Sequence, residues 1–289
     1  MLLITGATGQ LGQLTIEYLL RKGVDPQKII ALVRDESKSN DLKAKGIGIR
    51  EGNYDDPKSL ESAFIGIEKL LLISSSDVAN RAKQHKNAVN AATVAGVKHI
   101  LYTSFFSNNP TETSPISFVG ESHKYTVGLI KESQIPYTIL ENNLYLEMLP
   151  IFFGENVLDT GIYLPAGEAK GAFASRADMA EVNANILMEN GHEGKIYNIS
   201  NVENISIAEM AAILSRLTSK TVNYVNPSRS EYESTLGKAG VPAGYISIFA
   251  GFSQAISEGE FETDKSDLEK LLKRKPLNAE EYLRQVYSK

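Results

Sequence analysis

Gly6, Gly9 and Gly12 follow directly on the apolar run Leu2-Leu3-Ile4 and lead into Leu11, Leu14 and Tyr18, which recur at helical spacing. Glycines placed this way let main-chain amides close on a pyrophosphate. The first permits a tight turn, the second lets the backbone approach the phosphates, and the third allows helix and strand to pack closely. The unpaired amides and positive dipole end of the helix's first turn then face the anion. Thr8, Gln10 and Leu11 belong to the same cradle. A glycine triplet alone is a weak signal. The strand before it and the helix behind it make it a dinucleotide site.

Lys28 to Val33 reads as a second buried strand, ending on Arg34 with Asp35-Glu36-Ser37-Lys38 behind it. The end of this strand is where an adenosine ribose sits in such a fold, and an acidic residue there favours NAD. A cation there favours the 2′-phosphate of NADP, and the planar fork of Arg34 suits a phosphate, with Lys38 as a second charge. The expectation is therefore NADP(H) rather than NAD(H), with Asp35 reaching the ribose as the alternative.

These groups must be positioned by alternating strands and helices. Ile47 to Asp55 is a third strand running into a polar turn; Asn53 and Asp55 either touch adenine or cap the next helix, which Asp56 and Pro57 open. Lys69 to Ile73 is the fourth strand. It ends in Ser74-Ser75-Ser76, small residues that leave a cofactor room to cross or cap the following helix, Asn80 to Ala95. On that helix His85 is expected at the surface. Lys98 to Thr103, closed by Ser104, is the fifth strand. A helix follows from about His123 to Ser133, with His123 at its start either a proton donor or, the favoured reading, solvated, and Tyr137 to Glu141 is the sixth strand. This order predicts an α/β fold, a doubly wound parallel sheet with ligand at the carboxyl ends of its strands. Residues 1–150 form the expected nucleotide-binding domain. Residues 151–289 form a smaller, mostly helical lobe that closes over the crevice, with residues 195–200 returning as a strand to the main sheet. In that lobe Ser206 and Glu209 make a capping box ahead of a helix from Ile207 to Ser219, and Val222 to Val225 is a short strand. The basic run Lys273-Arg274-Lys275 suits a helix C-terminus.

The chain has 289 residues, a net charge of −5, four histidines without metal-ligand spacing and no cysteine. Disulfides and cysteine nucleophiles are excluded, and no metal site is expected. The mild acidity argues against nucleic acid as a partner. No run is long and apolar enough to span a bilayer. Residue 1 leads straight into a core strand, so no leader is expected and the location is read as cytoplasmic. The partner is a small-molecule substrate. The oligomeric state is left open, a homodimer included.

With these residues laid out, the chain resembles the atypical short-chain dehydrogenase/reductases of the NmrA-like group, in particular the type-2 NAD(P)H:quinone oxidoreductases. The resemblance rests on Thr5 to Gly12, Val33-Arg34, Glu68 to Ser76, Tyr102-Thr103-Ser104, Pro136 to Leu140 with Asn142 and Tyr145, and Ser175 to Asp178. Two positions depart from it. Gly128 stands where a lysine is common, and the sixth strand ends in Glu141 rather than in a Thr-x-x-Arg pattern.

Short-chain dehydrogenases that oxidise alcohols or epimerise sugars use Tyr-x-x-x-Lys on one helix face, the lysine depressing the tyrosine pKa. Here Tyr18 and Lys22 have that spacing in the wrong helix, and Tyr125 is followed four residues later by Leu129. An epimerase is thereby disfavoured. A quinone asks less of the protein: nicotinamide supplies the hydride, and the protein positions a planar ring and offers a donor to the developing oxyanion. Asn142 and Tyr145 are the candidate donors. Phe105, Phe106, Tyr145, Phe152 and Phe153 are the candidate walls, with core packing the competing role for the last two phenylalanines. The resemblance thus implies an NADPH-dependent reductase of quinone-like carbonyl compounds, or, given Gly128, a non-catalytic NADP(H) sensor of the NmrA kind.

Overall fold

A computed structural model describes residues 1–288. Its first half alternates as expected: β1 (Leu2–Ile4), α1 (Gln10–Arg21), β2 (Ile29–Val33), α2 (Asn40–Ala44), β3 (Gly48–Glu51), α3 (Pro57–Phe64), β4 (Lys69–Leu72), α4 (Arg81–Val94), β5 (His99–Phe105), α5 (Ser117–Glu132) and β6 (Tyr137–Asn142). The second half contains α6 (Leu149–Phe153), α7 (Val157–Thr160), β7 (Ile162–Tyr163), β8 (Lys170–Gly171), α8 (Arg176–Met188) and β9 (Lys195–Ile199). It ends with β10 (Ile205–Ser206), α9 (Ile207–Thr218), β11 (Tyr224–Val225), α10 (Arg229–Lys238), α11 (Ala243–Ser257), α12 (Leu268–Leu272) and α13 (Ala279–Tyr287).

Seven strands form one parallel sheet in the order β3-β2-β1-β4-β5-β6-β9. Successive residues of a strand point to opposite faces. Leu3, Leu70, Ile100 and Ile139 therefore pack on α3, α4 and α5, while their neighbours Ile4, Leu71, Leu101 and Leu140 pack on α1 and α8. A strand buried on both faces must be apolar throughout, and all five residues of β2 are buried. Each such Leu, Ile or Val contributes about 1.5–3 kcal/mol on burial. The lobe has a separate core in which Phe152, Phe153, Leu164, Met210 and Phe261 meet. The capping box of Ser206 and Glu209 opens α9, as its spacing predicts.

Two boundaries differ from the sequence reading, and both matter at the site. β5 continues through Ser104 to Phe105 because those residues pair with Glu141 and Asn142 of β6. α5 begins at Ser117 rather than near His123, its first turn held down by Ile116 and Val119 in the lobe core. His123 therefore lies inside the helix on its buried side. The loop between β5 and α5 is clasped to the lobe by Glu260, which accepts from Ser107 and Ser114 Oγ, each at 2.9 Å. The basic run also behaves differently from its expected role. Lys273 ends α12, but Arg274 reaches Asp178 at 2.7 Å and Glu181 at 2.6 Å on α8. Both carboxylates are more buried than an exposed helix end would be, and they offer better partners than open carbonyls. Among the described residues no helix is long and apolar enough to cross a membrane.

Candidate active site

The cradle forms at the junction of β1 and α1. Gly6 holds φ +56°, a conformation that side chains other than glycine rarely adopt. A Cβ on Gly12 would lie 2.3 Å from the Gly6 carbonyl oxygen and 2.8 Å from Ala7 Cα, so the helix rests directly on the turn. Gly9 is the N-cap and supplies no side-chain acceptor. The amides of Gln10, Leu11 and Gly12 thus stand at an uncapped helix start, open to an anion. Thr8 and Gln10 are exposed beside them.

At the end of β2, Arg34 is exposed and makes no ion pair among the described residues. Asp35 is occupied locally: its carboxylate accepts from the Ser37 amide at 3.0 Å and the Ser37 hydroxyl at 2.6 Å, bonds that hold its pKa below the usual carboxylate value. Lys38 lies 3.9 Å from the same carboxylate. Local turn geometry therefore engages one oxygen of the acidic residue, whereas the guanidinium has no ion-pair partner among the described residues. Asn53 and Asp55 are also tied up within the fold, Asn53 accepting from the Asp55 amide at 3.1 Å and Asp55 from Gln84 at 3.1 Å.

Past β4, the Ser74 amide donates to Thr103 Oγ1 at 2.9 Å and the Ser75 amide to His85 Nε2 at 3.0 Å. Neither His85 nor His123 is the surface histidine expected from the sequence. Their relative exposures are 0% and 6%, because α4 and α5 press these faces onto the sheet. Between them lies Tyr102, whose hydroxyl is 2.7 Å from His123 Nδ1 and 3.4 Å from His85 Nδ1. Burial, with Arg81 adding repulsion, pushes His85 down to about 3 and His123 well below its ordinary value. Arg81 is itself buried. It donates from Nε to the Ser75 carbonyl at 2.7 Å and from Nη1 to Ser122 Oγ at 3.2 Å, and no carboxylate pairs with it among the described residues.

Asn142 ends β6 at this same carboxyl edge. It is 2% exposed, yet neither its amide nitrogen nor its oxygen has a hydrogen-bond partner. The Tyr145 phenol lies close to this amide without forming a well-aligned bond, and a buried amide so placed costs about 1–3 kcal/mol unless a ligand completes it. Tyr145 sits three residues on, its phenol pushed up by burial against a smaller pull from the Asn142 amide and Arg176. The Arg176 guanidinium lies over its ring at 4.4 Å. Ser104, expected to close β5, is a buried residue within it.

A cavity of about 900 Å³ opens between the loop after β4, the outer face of α5 and the start of α11. Phe118, Tyr125 and Tyr245 form its walls, and Ser122, the acceptor for Arg81, lies at its inner side. None of the aromatic residues read from the sequence as a wall lines this cavity. Phe152 and Phe153 are core residues of the lobe, Phe152 packing edge-on to Phe249. Phe105 and Phe106 remain at the sheet edge, with Phe105 stacked on His123.

Sequence reasoning missed Arg81, Tyr102, Phe118 and Tyr245. For Arg81 a signal was present. On α4 the buried positions run Arg81, Gln84, His85, Ala88, Val89, Ala92, a stripe that turns from polar to apolar away from the strand ends.

The model of the NmrA-like family matches residues 1–283. The chain belongs to the NmrA-like family. Quinone oxidoreductase 2 of Escherichia coli (strain K12) is 40% identical over 273 residues, 94% of this chain and 93% of that protein. Among solved structures, NADPH-dependent quinone oxidoreductase QOR2 from Escherichia coli complexed with NADPH has a TM-score of 0.91 at 37% identity, covering 99% of this chain and 100% of that one. The Citrobacter sp. triphenylmethane reductase complexed with NADP(H) has a TM-score of 0.91 at 36% identity, covering 99% of each. This NmrA-like chain is thus similar along its length to a quinone oxidoreductase and to a triphenylmethane reductase.

Proposed function

We propose that this NmrA-like protein is an NADPH-dependent reductase of quinone-like carbonyl compounds. The observation that carries the proposal is the aromatic-walled cavity of about 900 Å³ beside the loop that follows β4, supported by the open Asn142 amide at the carboxyl end of β6. A sensor needs a cradle but not a second, apolar chamber beside it. The relatives' reported chemistry supports the same reading.

The residues present fit the cofactor. Gly6 to Gly12 would hold the pyrophosphate on the start of α1, and Arg34 the 2′-phosphate, with Lys38 adding positive charge. Ser74 and Ser75 would flank the crossing chain, and the Asn142 amide would meet the nicotinamide end. Bound NADPH supplies a hydride. The protein's own part is to stack the acceptor ring between Tyr125 and Tyr245, exclude water, and present donors at the edge to the oxygen that gains charge. Asn142 and Tyr145 are the donors nearest the cofactor's end of the site.

The test is NADPH oxidation by the purified protein over a panel of quinones and aldehydes, with NADP and NAD binding measured by calorimetry. Quinone-dependent oxidation with tighter NADP binding is expected. No turnover on any quinone, with NADP binding intact, would leave the sensor reading in its place.

A further inference from the structure

We propose that His123 is a neutral imidazole donor to the acceptor oxygen, held in that role by a one-way hydrogen-bond chain running Ser75 amide–His85–Tyr102–His123. The inference rests on the reductase reading and adds a group to it.

The direction of the chain follows from its first member. A main-chain N–H can only donate, so His85 Nε2, 3.0 Å from the Ser75 amide, must be the bare nitrogen. Neutral His85 then carries its hydrogen on Nδ1. That hydrogen points to Thr126 Oγ1 at 2.9 Å, whose own hydrogen is committed to the Ser122 carbonyl at 2.8 Å. It also faces the Tyr102 oxygen at 3.4 Å. The Tyr102 hydroxyl cannot donate back toward an N–H, and His123 Nδ1 at 2.7 Å is the nearest acceptor left to it. His123 therefore carries its hydrogen on Nε2.

That hydrogen has no protein acceptor among the described residues. The His123 ring stacks on Phe105 with centroids 5.8 Å apart, and Phe105 is the strand partner of Asn142. His123 does not itself line the cavity, but its stacking on Phe105 sets the ring at the carboxyl edge of β5 and β6 beside Asn142, and the neighbouring Ser122 lines the cavity. Imidazolium is disfavoured here by burial and by Arg81 and His85, so the ring meets its substrate uncharged. A neutral imidazole can still stabilise an oxyanion as an electrophile, a pattern known from other enzymes. Arg81, buried without a carboxylate, adds positive potential behind it.

The overall step is quinone plus NADPH plus one proton giving hydroquinone plus NADP⁺. Held at Gly6 to Gly12 and Arg34, NADPH would supply the hydride with both electrons, and the acceptor would take it up. The oxygen that gains charge is hydrogen-bonded by His123 Nε2–H, which keeps its proton. Solvent supplies the remaining proton. His85, Tyr102 and Thr126 are positioning residues.

Two measurements test this. On the cofactor-free protein, long-range ¹⁵N–¹H NMR of the histidine rings should show His85 as the Nδ1–H tautomer and His123 as the Nε2–H tautomer. Both should stay unprotonated from pH 8 to 5.5. Tyr102→Phe keeps the packing and should release His123 into a mixture of tautomers. In turnover, His123→Leu should lower kcat about 100-fold, the low end for losing one oxyanion donor, with NADPH affinity unchanged. His123→Gln, which restores an N–H, should recover part of that loss. Wild-type kcat should show no break near pH 6.5. A His123 Nδ1–H tautomer, or a folded His123→Leu with wild-type kcat, overturns the role. Absence of quinone turnover in the wild type overturns the reductase reading and this role with it; turnover that ignores His123 overturns this role alone.

Discussion

Gly12→Ala puts the cradle under direct strain. The new methyl would sit 2.3 Å from the Gly6 carbonyl oxygen and 2.8 Å from Ala7 Cα, both main-chain atoms that cannot swing aside. An ordinary carbon–oxygen contact is about 3.3 Å, so α1 must retreat by about 1 Å. Alanine is worth about 1 kcal/mol over glycine within a helix, whereas overpacking costs about 1–3 kcal/mol. Net stability should fall by up to about 2 kcal/mol. The larger effect is on binding. A 1 Å displacement breaks any charge-assisted bond from the first-turn amides, each worth about 1.5–3 kcal/mol, so NADPH affinity should drop about 10- to 100-fold. Gly128→Ala is the control. Its Cβ would meet nothing within 4 Å and it lies inside α5, so the same substitution should raise stability by about 1 kcal/mol, about 1–2 °C in Tm, and leave NADPH affinity unchanged. The assays are NADPH titration by fluorescence and thermal melts on both variants. A Gly12→Ala protein that binds NADPH as tightly as wild type would refute the close-contact argument for this cradle.

Arg34→Glu should weaken NADP binding about 10- to 100-fold while sparing NAD, measured by calorimetry; equal loss of both would remove the 2′-phosphate from the account. Tyr245→Ala opens the cavity wall and should raise KM for quinones several-fold with the NADPH dissociation constant unchanged. An unchanged quinone KM would mean that the acceptor binds elsewhere. Acid should destabilise the protein early. Unfolded histidine takes up a proton near pH 6.5, whereas folded His85 refuses it until about 3 and His123 is shifted the same way, so their stabilisation is complete above pH 6.5 and is lost as pH falls. Between pH 7 and 5.5 the two together should cost about 2 kcal/mol in urea unfolding. His99, lowered by burial, acts in the same direction. Glu141 and Glu147, raised by burial, act in the opposite direction nearer their own range. Stability that does not fall across this window would contradict the neutral buried histidines.

What the residues determine by themselves is local. Three glycines between an apolar run and an amphipathic stripe specify a turn and an open helix start, because positive φ and close approach are properties of glycine wherever it stands. The alternation of strands and helices likewise follows from periodicity, and Arg34 could be read from its place at a strand end. The chemistry at the far side of the site is another matter. Arg81 and His85 share one face of α4 by their spacing, but Tyr102 comes from β5 and His123 from α5, and nothing in the spacing brings these three elements together. α5 begins two turns early because distant lobe residues hold Ile116 and Val119, and that change turns His123 from an expected solvated residue into a buried one. Asp35 is removed from contention by its own turn, whereas Phe152 and Phe153 are drawn into a core built from α9 and α11. Short-range geometry is written in neighbouring residues. Burial, and with it which nitrogen carries a proton, depends on what the rest of the chain packs against each side chain.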